Sequence, residues 1–114
     1  FLLARVHLLV YHQPMIKSFS DTTTEKIFRN QPLTKKELRK FGSLNLQKAL
    51  ARLDILNISS EKDLLLTPSY YYHTLHNGRY SIDAESRRSK WRITFQWHDD
   101  EIQDVALVKI EDTH

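Results

Sequence analysis

Histidines and arginines crowd the C-terminal half of this 114-residue chain, and their types set what chemistry is open to it. His73 and His76 flank Leu75 shortly before Gly78. Imidazole gives and takes protons near neutral pH without special tuning, so both are candidate acid–base groups. Their spacing could also suit metal ligands on a helix, but the segment reads as extended or looped and no third ligand stands at a convincing distance. Next comes a basic stretch, with Arg79, Arg87, Arg88, Lys90 and Arg92 against Asp83 and Glu85. Segregated positive charge raises the local potential and favours phosphate-rich partners, the alternative being a charged, solvated loop. Tyr70, Tyr71 and Tyr72 offer flat rings on which bases could stack, or else caps for the core. The sequence closes on Asp112-Thr113-His114, directly after an expected strand, which should define His114 better than a loose tail would.

The elements that must position these residues are legible in outline. Met15–Phe19 alternates apolar and polar and predicts a short first strand. Ser20-Asp21-Thr22 offers N-caps for a helix from Thr22 to about Arg29, broken at Asn30-Gln31-Pro32. Thr34 and Glu37 have capping-box spacing, as do Ser60 and Asp63 ahead of the stop at Pro68. Between them Leu46, Ala49, Leu50, Leu53 and Leu56 recur at helical spacing and predict a helix over Leu44–Asn57.

From Tyr70 onward the period becomes two. Tyr80-Ser81-Ile82 begins a strand, Asp83–Lys90 is a polar connection, and Trp91–Trp97 alternates strictly with every odd position apolar. His98–Glu101 reads as a solvated turn, and Ile102–Ile110 as the last strand. There Val105 and Leu107 are expected on one face, with Ala106, Val108 and Ile110 on the other. If Trp91, Ile93, Phe95 and Trp97 face the core, Arg92 sits on an open sheet face. From there it could fork two N–H donors to a phosphate or form a cross-strand ion pair; the pattern favours neither. The whole predicts an α+β domain, with two to three N-terminal helices on one face of a mostly antiparallel, roughly four-stranded sheet.

Composition narrows the class further. Apolar residues make up 40% and charged residues 27% of the chain, which places it with globular domains rather than disordered ones. Net charge is +3, and a second basic stretch runs from Arg29 to Arg52 with Glu37 and no other acid inside it. No cysteine is present, so disulfides and cysteine-built zinc or iron–sulfur sites are excluded, as fits the cytoplasm. Phe1–Val10 is apolar, but Arg5 and His7 interrupt it and it falls well short of the ~20 residues that span a bilayer. Residues 1–14 are read as a leader, or as sequence translated upstream of a start at Met15, the alternative being an extra helix or strand. The domain proper is then expected over residues 15–114.

Several of these segments carry a resemblance together. Met15-Ile16-Lys17-Ser18-Phe19, His73-Thr74-Leu75 near Gly78, Tyr80-Ser81-Ile82, Trp91-Arg92-Ile93-Thr94-Phe95 and Asp112-Thr113-His114 stand in the order seen in HigB-like toxins of the RelE/ParE superfamily. The chain from Met15 to His114 resembles those toxins throughout. The resemblance implies a microbial RNase fold and a toxin that cuts messenger RNA in the ribosomal decoding site, neutralised by a helix-turn-helix antitoxin of HigA type.

It also implies roles for single residues. His73 matches the family's histidine, Arg92 the arginine of its Trp-Arg-Ile motif, and Asp112 and His114 its Asp-Tyr-His ending. Arg87 or Arg88 takes the place of an arginine on the preceding hairpin. These toxins need no metal or cofactor: the RNA's own 2′-hydroxyl attacks the adjacent phosphate. His73 and His114 are then the acid–base pair, and Arg92 with Arg87 or Arg88 stabilises the accumulating charge. His76, Arg79, Arg87, Arg88 and Lys90 are the expected RNA-binding residues. Two departures stand out. His76 replaces a lysine, and Thr113 replaces a tyrosine that could stack on a base. Two other readings stand beside the nuclease: a degenerate toxin that only binds antitoxin or ribosome, and a gyrase-directed member of the superfamily.

Overall fold

The computed structural model describes residues 14–98 and 104–113. Apart from Pro14, the expected leader lies outside the described residues, as do His114 and most of the turn after His98. Among the described residues four short helices precede the sheet: α1 (Thr22–Phe28), α2 (Lys35–Lys40), α3 (Leu46–Asn57) and α4 (Glu61–Leu65). Each begins where a short polar side chain can occupy an orphan N–H. Asp21 accepts from the Thr24 amide at 2.9 Å, and Asn45 accepts from that of Lys48 at 3.1 Å. Thr34–Glu37 and Ser60–Asp63 close as reciprocal capping boxes, as their spacing predicts. Helix α3 starts at Leu46 rather than Leu44, because Asn45 supplies the cap.

Glu37 does more than cap. Its carboxylate also accepts from Lys26 at 3.0 Å and from the Thr23 hydroxyl at 2.9 Å, tying α1 to α2. Helix α2 buries no residue of its own, so this tie and the buried Phe41 that follows anchor it. The Phe41 ring meets Trp91 edge-on at 5.1 Å. Helix α3 buries Ala49, Leu53 and Leu56, one face of a 3.6-residue period.

A 3₁₀ turn at Pro68–Tyr70 leads into four antiparallel strands in the order β1 (His73–Thr74), β2 (Tyr80–Asp83), β3 (Trp91–Trp97) and β4 (Val105–Asp112). The helices share one core with the sheet face that carries Ile82, Ile93, Phe95, Val105, Val108 and Ile110. Met15–Phe19 runs parallel to β4 but meets it through isolated bridges, Ile16 to Val105 and Phe19 to Val108, rather than as the continuous strand expected.

The reason lies in β4. From Thr94 to Gln96 β3 advances two residues while β4 advances three, from Lys109 to Ala106. The extra residue makes a bulge, and Leu107 takes a left-handed conformation with φ of 55°. This overturns the expected facing of β4. Val105, Val108 and Ile110 are buried together, whereas Leu107 is 41% exposed. The bulge removes the Leu107 backbone from the β3 ladder, and side chains satisfy it instead. Its N–H donates to Ser18 Oγ at 2.9 Å, and its carbonyl accepts from Ser20 Oγ at 2.8 Å and from Arg79 at 2.6 Å.

Candidate active site

Strand alternation and register assemble a polar face on the side of the sheet away from the helices. His73 pairs with Ser81, Ser81 with Thr94 and Thr94 with Lys109; beside that row Asp83 pairs with Arg92 and Arg92 with Glu111. The expectation of an open face does not hold. Ser81, Asp83, Arg92 and Thr94 are all buried, because long side chains lie across them. Arg79 reaches from β2's start to Thr94 Oγ1 at 3.0 Å on its way to the Leu107 carbonyl. Burial pushes the Arg79 guanidinium below its usual value, and the Glu111 charge partly offsets that.

Arg92 is the main correction. It is 3% exposed, and its donors are committed within the protein. Nε lies 3.3 Å from Asp83 Oδ1, Nη1 donates to the carbonyls of Ser89 and Trp91, and Nη2 donates to that of Arg87. The β2–β3 connection folds back so that its carbonyls point at the guanidinium. Of the two roles open to it in the sequence, Arg92 therefore has the cross-strand ion pair. It pins the hairpin and presents no fork to a phosphate.

Arg87 is the arginine that faces outward from the same carboxylate. Its Nη1 donates to Asp83 Oδ1 at 2.8 Å, yet its side chain is 49% exposed. Its Cζ lies 3.7 Å above the Tyr71 ring. Arg88 is exposed on the connection, and Lys90 covers the Trp91 ring at 5.0 Å. The choice between Arg87 and Arg88 thus resolves toward Arg87 as the cation built into the face. Asp83 Oδ2 is buried with no hydrogen-bond partner among the described residues. From the opposite side Arg52 of α3 donates to the Asp83 carbonyl at 2.8 Å, so a residue of the Arg29–Arg52 basic stretch supports the site's framework.

His73 is half-buried at the sheet edge, with Nδ1 2.9 Å from the Tyr71 carbonyl. A carbonyl can only accept, so Nδ1 carries the proton and neutral His73 keeps its lone pair on Nε2. That tautomer is the one a general base requires. Tyr71 also meets the imidazole edge-on at 5.0 Å.

The remaining candidates form a second group. His76, exposed in the β1–β2 turn, lines an open cleft of about 230 Å³ with Leu75, Asn77, Glu111, Asp112 and Thr113. The structure thus brings His76 and Asp112 together, and places His73, Arg87 and Arg92 in a neighbouring cluster. Arg79, Thr94 and Glu111 join the two, since Thr94 Oγ1 also donates to Glu111 Oε2 at 2.6 Å. Register puts Asp112 opposite Trp91 at the strand's end, whereas Glu111 shares the face of Arg92. Sequence reasoning missed Glu111 and Asp83. Alternation would have found both had the strand register been known.

A smaller apolar hollow of about 90 Å³ lies between α1 and α3, lined by Ile27, Leu33, Leu46 and Leu50 among others, and holds none of these candidates. Among the described residues no group of three or more His, Asp or Glu side chains could hold a metal ion, and no helix is long and apolar enough to cross a membrane. No family model matches this sequence, and no curated protein matches it either.

Proposed function

We propose that this chain is a cytoplasmic endoribonuclease of HigB-like type, the toxin of a toxin–antitoxin pair, which cuts messenger RNA on the ribosome. The observation that carries the reading is His73: an imidazole whose Nδ1 is held by a backbone carbonyl, beside an exposed arginine anchored on a buried carboxylate. In this reading His73 Nε2 takes the proton of a ribose 2′-hydroxyl as its oxygen bonds to the adjacent phosphorus. Arg87 stabilises the charge that gathers on the phosphoryl oxygens. The bond from phosphorus to the 5′-oxygen breaks, and His114 returns a proton to that leaving oxygen. The products are a 2′,3′-cyclic phosphate and a 5′-hydroxyl, and atoms and charge balance without a metal. Arg79, His76, Arg88 and Lys90 hold the flanking strand, and Asp112 orients the end of the chain. A helix-turn-helix antitoxin is the partner that silences this activity.

One observation favours the second reading, a toxin that binds ribosome or antitoxin without cutting. Arg92, which the resemblance makes a charge stabiliser, is closed off inside the hairpin. Expression of the full chain under tight control separates the two, with mapping of messenger RNA 5′ ends beside His73→Ala and His114→Ala variants. New ends that vanish in both variants support the nuclease. Growth arrest with intact messages would remove it in favour of the binding reading.

A further inference from the structure

Three consecutive tyrosines have three different surroundings. Tyr70 lies beneath the Arg52 guanidinium at 4.7 Å and packs on the core. Tyr72 stacks on Tyr80 at 5.8 Å, donates its hydroxyl to Glu61, and accepts from the Trp97 indole at 3.0 Å. Tyr71 has neither role: it is 49% exposed. Its backbone is nevertheless the strained one of the three. Tyr71 closes the 3₁₀ turn with φ of 53° and ψ of 48°, the left-handed conformation that suits glycine, and donates its N–H to the Pro68 carbonyl at 3.0 Å. A bulky side chain is thus kept where the backbone favours none, and much of its ring faces solvent.

What surrounds the ring gives that placement a use. Arg87 covers one face at 3.7 Å and is held there by Asp83, while the His73 imidazole lies T-shaped to the ring with centroids 5.0 Å apart. A flat π-surface, a fixed cation and a proton acceptor therefore lie within one side-chain length of each other. An unpaired nucleotide has the matching parts: a base that stacks, a phosphate that takes a guanidinium, and a ribose hydroxyl between them.

We infer that Tyr71 is a nucleobase-stacking residue, which sets which nucleotide lies beside the scissile phosphate; this rests on the ribonuclease reading above. The base stacks on the exposed part of the ring while its phosphate is held by Arg87, and the 2′-hydroxyl then lies toward His73. Tyr71 is a specificity residue in this scheme, and its hydroxyl has no part in it.

The test uses the full chain with ribosomes translating a defined message, and compares wild type, Tyr71→Gly and Tyr71→Phe. Glycine suits the left-handed backbone, so Tyr71→Gly should fold with a thermal midpoint close to wild type. It should cut roughly 5- to 100-fold more slowly, the range that loss of one stacked base gives, and with relaxed nucleotide preference at the cut. Tyr71→Phe should behave as wild type. Intact message with the wild-type protein would remove the nuclease reading and this inference with it. Cutting by wild type that Tyr71→Gly matches in rate and preference would overturn the stacking role alone. So would slower cutting with unchanged preference, which would make Tyr71 a support for His73, or a Tyr71→Phe variant as impaired as Tyr71→Gly.

Discussion

Arg92 donates to three backbone carbonyls and shares the Asp83 carboxylate with Arg87, so truncating it strips several buried acceptors at once. Breaking a buried pair from one side costs about 3–5 kcal/mol, because the charge left behind stays out of water. Arg92→Ala should therefore lower the urea midpoint sharply. On the nuclease reading, any loss of cleavage should track the unfolded fraction; full stability with lost cleavage would return Arg92 to the phosphate. Arg87→Ala should separate the two effects the other way. Its guanidinium is half-exposed and Asp83 keeps its pair with Arg92, so the stability loss should be smaller than for Arg92→Ala. Cleavage should nonetheless fall about 100- to 1,000-fold, the scale for removing one donor to a developing anion, measured as single-turnover rate on programmed ribosomes. In the sequence Arg92 stood as the catalytic candidate, and Arg87 shared its place with Arg88. What distinguishes Arg92 from Arg87 is the fold-back of residues 84–90, a tertiary fact that no local pattern carries.

Local signals did carry the helices. Thr34–Glu37 and Ser60–Asp63 are legible because each box is closed by residues three apart, whereas the facing of β4 is not local at all. Leu107 leaves the ladder only because Ser18, Ser20 and Arg79, from two distant parts of the chain, take over its backbone groups. A period-two pattern assumes no bulge, so it placed Leu107 beside Val105. The tie between α1 and α2 gives a test at this scale. The Thr34 amide, then Lys26 and Thr23, hold the Glu37 carboxyl down at about 2 against an ordinary 4.5. A depressed carboxyl stabilises the fold at pH values above its unfolded pKa, and that contribution is lost as pH falls through the folded one. Wild type should thus exceed Glu37→Gln in urea midpoint at pH 7, and the gap should narrow as pH falls from about 4.5 toward 2. A gap that stays constant over that range would mean the carboxylate charge contributes nothing to the tie.

Among the described residues, exposed positive charge gathers in two patches, which meet where Phe41, beneath Lys40, packs on Trp91, beneath Lys90. One is α2 with its neighbours, where Lys35, Lys36, Arg39 and Lys40 are exposed; the other is the β2–β3 connection, with Arg87, Arg88 and Lys90. The polar sheet face, with His73 and the cleft at His76 and Asp112, adjoins only the second. If a net charge of +3 acted simply as a field drawing the chain to RNA, either surface would serve equally. Screening favours the patch beside the site, because at physiological salt a charge acts over about 8 Å. Removing two charges from each surface in turn decides between these views. Arg88→Ala with Lys90→Ala should slow cleavage on ribosomes and flatten its dependence on salt, since fewer counterions are then released on binding. Lys35→Ala with Lys36→Ala changes net charge by the same amount and should leave the rate within about twofold, both variants being titrated over a salt series. Equal losses from the two pairs would mean that α2 also touches the RNA or ribosome, and the hairpin face would no longer be the single route by which substrate arrives.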